Sequence, residues 1–430
     1  MNLRFLLLSA AASFLVMCSP STNKLVGHYP SAPSLTGEGQ EQDPGQGQYE
    51  AMTTEGTLIR TSCADPCMVY ENGMFYLTMT GSSNLVMVVD SDLNKLNTNV
   101  HPTGSCTYIY RSENDPNVEA LYGKGASISG TWSPELHYIS EDDIPGYSGW
   151  YLVFGLRKST GDSSDINTVV MKSKTGSVAG PYVNPVTGVQ HSTQTLVGQD
   201  GKPLGIWNVG MSILRIPSGK YKGIYGTYVD EVGRGTGYGN FYQRLRIAKL
   251  EKPWQLGSEL CTITHPTQSW EKKGASGTLP MVVEGGTAVY GDDGEVFMAY
   301  CGSGYWSDYG LGQLTLKREN GDYCDPLKES SWIKYEKNPL FSSASSSELR
   351  GAGHAFFLKD DAGNRFMCYH AYPYSNGTKG KSRNAYIEPY TIDYSMTPDS
   401  APQGVIKFGV NKNSVTGSTG SVITFYKKTH

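Results

Sequence analysis

Five stretches of the chain repeat one alternation of apolar and polar positions. Each opens on a polar or small residue and runs on through β-forming side chains. It then turns through Gly, Asn or Asp and returns as a second apolar run. The first is Asp65 to Tyr70, a turn at Glu71-Asn72-Gly73, then Met74 to Met79. The second is Glu135 to Ile139, a longer turn through Gly149, then Trp150 to Phe154. The third is Gly210 to Ile216, a turn at Pro217-Ser218-Gly219, then Lys220 to Tyr225. The fourth is Glu284 to Tyr290, a turn through Asp292 and Asp293, then Glu295 to Tyr300. The fifth is His354 to Leu358, a turn through Asp360 and Asp361 to Gly363, then Asn364 to Tyr369. Turn residues between alternating apolar runs make each stretch a β-hairpin.

The opening residues stand at 65, 135, 210, 284 and 354, so the steps are 70, 75, 74 and 70 residues. A fixed period of self-similarity is the mark of a repeat architecture. Each step leaves room for two more strands after its hairpin. The pattern therefore predicts an all-β chain folded as a five-bladed β-propeller with long connecting loops. In such a fold the innermost strand of every blade starts at the same end of a central channel. Asp65, Glu135, Gly210, Glu284 and His354 are thus expected to ring that end. Three carboxylates and an imidazole converging there would be costly as mere structure, because burial desolvates them and like charges repel. That cost points to a functional site.

Composition narrows the partners. The 430 residues carry 36 Lys and Arg against 40 Asp and Glu, a formal net charge of -4. Neither a nucleic acid nor an anionic membrane surface gains from that balance. Charged residues are only 18%, with 51 Gly and 29 Tyr, which suits short strands and tight turns and excludes coiled coil or disorder. Tyr and Trp also suit stacking on sugar rings, through an apolar face and a polar edge.

The ends read differently. Arg4 precedes an apolar run from Phe5 to Met17, too short to span a membrane and shaped like an export signal. Leu15-Val16-Met17-Cys18 resembles a bacterial lipoprotein signal, which would anchor the exported protein to a membrane through Cys18, in the periplasm or at the cell surface. Residues 19–54, rich in Ser, Pro, Gly, Gln and Glu, are expected to be a flexible tether. Residues 55–430 form the propeller body, with Val422 to Tyr426 helping to close it. The seven remaining cysteines lack a disulfide or zinc spacing and are read as buried thiols.

Two carboxyl groups across a pocket suit glycoside hydrolysis with inversion. One activates water, the other protonates the leaving oxygen, and they stand about 6.5–9.5 Å apart so that water fits between them. Asp65 on blade one and Glu284 on blade four are the pair expected to face each other.

Around them the sequence resembles glycoside hydrolase family 43, and within it the exo-acting α-L-arabinofuranosidases. The likeness lies in Ala64-Asp65-Pro66, Trp132-Ser133-Pro134-Glu135-Leu136-His137, Val283-Glu284-Gly285, Gly353-His354 and Tyr369-His370-Ala371. The run Gln243 to Trp254 also matches the family's third blade. The resemblance covers residues 60 to 395 and implies a five-bladed propeller, inversion, and plant glycans containing arabinose or xylose as substrates. It implies Asp65 as general base and Glu284 as general acid. The family's third carboxylate, which keeps the acid's pKa raised, falls on Gly210 in Trp207-Asn208-Val209-Gly210.

Glu135 or Asn208 is the expected compensation for that loss. Trp132 and Trp207 are candidate sugar platforms, and Arg383 matches a family Arg that reaches the site from the last blade. His354 is expected to touch sugar or to hold a channel cation, Ca2+ or Na+, through water; neither ion is required, and no cofactor is needed. His137 and His370 are read as structural. Tyr305 and Trp306 fall where a loop could line the pocket. The expected function is an exo-α-L-arabinofuranosidase on arabinan, arabinoxylan or arabinogalactan. The rivals are a carbohydrate-binding lipoprotein that lost turnover, and a β-xylosidase or galactan-cleaving relative.

Overall fold

The structure is a computed structural model that describes residues 48–408 and 423–429, apart from residues 55, 98–105, 160–164, 206, 277, 307 and 345. The export signal and most of the tether therefore lie outside the described residues. Among those described, no helix is long and apolar enough to cross a membrane.

Five antiparallel sheets follow one another along the chain. Their innermost strands are Cys67–Glu71, Ile128–Ile139, Asn208–Ile216, Val283–Tyr290 and Leu349–Lys359. Each pairs with the next strand as the hairpin pattern requires, for example Glu71 with Met74 and Tyr290 with Val296. The fold is a five-bladed β-propeller.

The core is divided among the five seams between neighbouring blades. Val69 and Met87 of blade one meet Leu136 and Phe154 of blade two. Tyr151 and Val170 of blade two meet Met211 and Tyr228 of blade three. Leu214 and Ile247 then meet Val283 and Met298 of blade four, and Phe297 and Leu311 meet Met367 and Tyr390 of blade five. Phe366 and Ile387 of blade five close the circle on Met68, Phe75 and Leu77. Inner strands are therefore covered on both faces, which explains why they read as nearly continuous apolar runs.

Closure differs from the expectation. The N-terminal strand Leu58–Arg60 pairs with Asn384–Asp393 and completes blade five, so the two ends of the propeller share one sheet. The segment expected to be tether up to Thr54 is a strand from Tyr49, paired residue for residue with Ile423–Lys428. Its partner's Phe425 lies edge-on to Tyr70 and Phe75 at 4.8 Å and covers the seam between blades one and five. The β-rich run at Ile423 was legible as a strand; its partner was hidden in polar, low-complexity sequence.

The inner strands share a second feature. Asp65, Ser133, Gly210, Gly285 and His354 all have φ between 49° and 65°, one in each blade. Register shifts accompany the kinks at Trp132/Glu135, Val209/Ser212, Glu284/Thr287 and Gly353/Phe356. A bulge of this kind bends a strand and re-aims the side chains beside it. By backbone geometry the ring position of blade two is therefore Ser133, not Glu135. That of blade four is Gly285, one residue after Glu284.

Glu388 in the third strand of blade five is 2% exposed, and its Oε1 accepts from the Tyr369 hydroxyl at 2.6 Å. Its Oε2 has no partner among the described residues. Burial pushes this carboxyl up to about 7, against the bond from Tyr369. The folded state then holds a proton that the unfolded chain releases near 4.5, so stability falls as pH rises between those values. Glu388→Gln should remove a slope worth about 3 kcal/mol. Urea midpoints at pH 4.5 and 7.5 check this: the variant loses less stability across the interval than the wild type, and an equal loss would contradict it.

Candidate active site

Asp65 stands immediately before the inner strand of blade one and is 8% exposed. Its left-handed backbone is one that Asp tolerates better than most residues. Oδ2 accepts from the Thr80 hydroxyl at 2.6 Å, and Thr80 in turn accepts the Ser133 N–H of blade two. Oδ1 accepts from the Arg383 guanidinium at 2.9 Å and lies 3.6 Å from His354 Nδ1. Burial alone would raise this carboxyl, but Arg383, His354 and His370 outweigh it and hold it well below the usual range. Asp65 is built to stay ionised.

Glu284 is held in the opposite sense. Burial raises its pKa and the charge of Asp65 adds to that, while His354, Tyr309 and Arg383 oppose it. Its Oε1 accepts from the Tyr309 hydroxyl at 2.8 Å. Tyr309 is 1% exposed, stands just before the third strand of blade four, Gly310–Leu316, and lies 3.4 Å from the same His354 Nδ1 that faces Asp65. Those contacts in series cap the separation of the two carboxylates at about 10 Å, which admits the 6.5–9.5 Å of an inverting pair.

His354 is thus the hinge between the two carboxylates. Its own N–H bonds the buried Cys301 sulfur at 3.0 Å, which ties blade five to blade four. Cys67 does the same between blades one and two, accepting the Leu136 N–H at 3.2 Å. The buried thiols at these positions are acceptors for strand N–H groups across the seams. Among the described residues no three His, Cys, Asp or Glu side chains are grouped to hold a metal.

His370 lies under Asp65. It is fully buried, its ring is stacked parallel to Tyr309 at 5.6 Å, and its Nδ1 accepts the Asp65 N–H at 3.1 Å. Burial and Arg383 push it down to about 3, so the ring is neutral, and Nε2 has no partner among the described residues. Arg383 also lies 4.8 Å over the Tyr305 ring, which is exposed on the loop between the second and third strands of blade four. That loop opens at the same end of the channel as Glu284.

Other expected site residues fall elsewhere. Glu135 is buried against His137 at 2.7 Å, an internal pair of the bulge on blade two. Asn208 accepts the Thr168 N–H at 2.8 Å and stitches blade three to blade two. The Glu135 carboxylate is thus engaged by its own blade, and the Asn208 amide by the neighbouring one. Trp132 and Trp207 are half-buried against the seam between blades three and four, and the Trp207 Nε1 has no partner among the described residues. Tyr309 and Thr80 were missed because they lie far from the repeat's opening residues; His370 was read as structural and is fully buried. Tyr309 and Thr80 stand where a mouth loop meets a strand, a place the hairpin pattern does not mark.

No family model matches the chain. It is 26% identical over 250 residues to an extracellular exo-α-(1→5)-L-arabinofuranosidase of Streptomyces avermitilis, covering 58% of this chain and 44% of that protein. It is 24% identical over 315 residues to an α-L-arabinofuranosidase 43 of Humicola insolens, covering 71% and 57%. The chain spans about half the length of the curated relatives it matches. Among solved structures, an α-L-arabinofuranosidase from Lactobacillus brevis superimposes with a TM-score of 0.58 at 22% identity, covering 79% of this chain and 94% of that one. An endo-1,4-β-xylanase from Bacteroides thetaiotaomicron gives 0.54 at 17%, covering 87% and 99%. The likeness to glycoside hydrolase family 43 carried by the motifs therefore holds in sequence and in fold.

Removing the Arg383 cation leaves Asp65 buried beside two histidines alone. Arg383→Gln should raise the Asp65 pKa by about one unit or more. Titration of the Asp65 carboxyl carbon by 13C NMR checks this: the variant takes up its proton at a higher pH than the wild type.

Proposed function

We propose that the protein is an inverting exo-α-L-arabinofuranosidase that trims side chains from arabinan, arabinoxylan or arabinogalactan. The observation that carries this reading is the opposed bias of two carboxyl groups sharing one pocket. Asp65 is held ionised by Arg383, while burial favours the proton on Glu284. A general base must start without its proton and a general acid with it. In this mechanism Asp65 takes a proton from water as that water attacks the anomeric carbon. Glu284 gives its proton to the glycosidic oxygen as the bond to it breaks. His354 and Arg383 keep the base ionised, and Tyr309 fixes the acid's oxygen toward the pocket. An acid and a base suffice for this reaction, so it calls for no redox cofactor.

The named activities of the two sequence relatives support arabinofuranose as the sugar. The apolar run ending at Cys18 supports export, with a lipid anchor on that cysteine. The glycan is then met outside the cytoplasm.

The test is a panel of aryl α-L-arabinofuranosides, β-D-xylosides and β-D-galactosides, assayed from pH 4 to 8. The wild type is expected to prefer the arabinofuranoside. Asp65→Asn and Glu284→Gln should each lower kcat/KM by about 10²-fold or more, the range general acid–base catalysis supplies. Binding of arabino-oligosaccharides with no hydrolysis would favour the rival carbohydrate-binding lipoprotein, and full activity in both variants would remove the catalytic assignment.

A further inference from the structure

The loop between the second and third strands of blade four carries an exposed aromatic side chain that the mechanism above does not use. Glu284 pairs across the sheet with Cys301 of the second strand, Val296–Gly302, so the chain runs on from the level of the acid out to the mouth. It returns at Tyr309, whose hydroxyl bonds Glu284. Between them Tyr305 is 39% exposed, with the Arg383 guanidinium 4.8 Å from its ring centroid. The Arg383 side chain is 18% exposed and reaches inward to Asp65. From solvent inward the order is therefore Tyr305, Arg383, Asp65.

The loop is clamped from two blades. Trp306 lies edge-on to Tyr305 at 5.0 Å, and its Nε1 donates to the Gly274 carbonyl at 2.9 Å. The Gly304 N–H donates to the Lys273 carbonyl at 3.1 Å, and a Cβ at Gly304 would stand 2.3 Å from the Trp306 ring. Lys273 Nζ pairs with Asp308 at 3.1 Å. From blade five, Lys379 donates to the Trp306 carbonyl at 3.3 Å and lies 4.3 Å over the Tyr372 ring. A Cβ at Gly351 would meet the Tyr305 carbonyl at 2.8 Å, so the inner strand of blade five packs closely on the loop. A lone exposed Tyr is ordinary on a protein surface. This one is held in place at the mouth before any ligand arrives, so a ligand that binds it loses less entropy in ordering it.

We propose that Tyr305 is the platform on which the second sugar of the glycan stacks, the one released when the terminal arabinofuranose is cut away. Tyr305 then sets a preference for oligosaccharides over glycosides with a small leaving group. This rests on the hydrolase reading and names the part of the substrate that the mouth takes. The terminal sugar must reach Asp65 and Glu284, which lie inward of Tyr305. The rest of the glycan has to leave through the mouth, past the side chains exposed there. A sugar ring presents a face of C–H groups rimmed by hydroxyls, and Tyr meets it with an apolar face and a polar edge. The neighbouring aromatic rings are less free to do this. Trp306 is half-buried against the core between blades four and five with its N–H already bonded, and the Lys379 ammonium lies over the Tyr372 ring.

The experiment compares arabinotriose with methyl α-L-arabinofuranoside, which offers the same terminal sugar and no second ring. The ratio of their kcat/KM values should fall about tenfold in Tyr305→Ala, the size of effect one aromatic contact supplies. Tyr305→Phe keeps the ring and should keep most of the ratio. An unchanged ratio in Tyr305→Ala would overturn the proposal. So would equal losses on both substrates, the outcome if the ring serves only to hold Arg383. Calorimetry on the Glu284→Gln protein reads the same contact without turnover. Arabinotriose should bind it more tightly than arabinose does, and adding Tyr305→Ala should remove the difference. If the two sugars bind alike before that change, the proposal fails while hydrolysis by the wild type still stands. A difference that Tyr305→Ala removes, in a protein whose wild type hydrolyses nothing, would support the platform and remove the hydrolase reading.

Discussion

The structure depends on a left-handed kink at the head of each inner strand. Five residues, one in each blade, leave the extended conformation at the same end of the channel. Three of them are not glycine, and each of those costs on the order of 1 kcal/mol or more in backbone strain. The seams hold them there, because the strands beyond each kink are buried on both faces between neighbouring blades. Asp65 and His354 are brought together this way, and Gly285 turns the strand just after Glu284. A straight strand would direct these side chains into the seams.

From that geometry the electrostatics follow. The Arg383 guanidinium bonds one carboxylate directly, with the His354 and His370 rings beside it, whereas the other accepts from the Tyr309 hydroxyl. Cations close to a buried acid favour its charge, and burial without enough of them favours its proton. Burial raises both groups, and His354 and Arg383 lower both, so the difference comes from the direct Arg383 bond and the His370 contact that Asp65 has, and from the Asp65 charge that Glu284 feels. The same pocket thus offers a proton acceptor and a proton donor from two residues of nearly the same chemistry.

Much of the fold was legible in the sequence because the hairpin pattern reports burial directly. Apolar runs ending at Asn72-Gly73 or Gly291 and Gly294 are local signals, and local signals survive without an alignment. Asp65, Glu284, His354 and Arg383 were found because they open strands of the repeat or flank its last blade. Glu135 sits off the ring for a physical reason. The bulge at Trp132/Glu135 shifts the ring position by two residues, and a register shift leaves no mark in composition. Tyr309 was missed because it reaches the site from the head of a third strand, where sequence spacing says nothing about which side chain faces the axis. Closure through Leu58–Arg60 and Tyr49–Thr54 was missed because those short edge strands carry too few apolar residues to stand out.

The central claim is that Asp65 and Glu284 act on a water held between them and not through a covalent sugar–enzyme bond. The anomeric configuration of the first product measures this most directly. 1H NMR of an α-L-arabinofuranoside digest, recorded before mutarotation, is predicted to show the β-anomer appearing first. Initial release of the α-anomer would contradict the account, because retention requires one of the two carboxylates to attack the sugar itself.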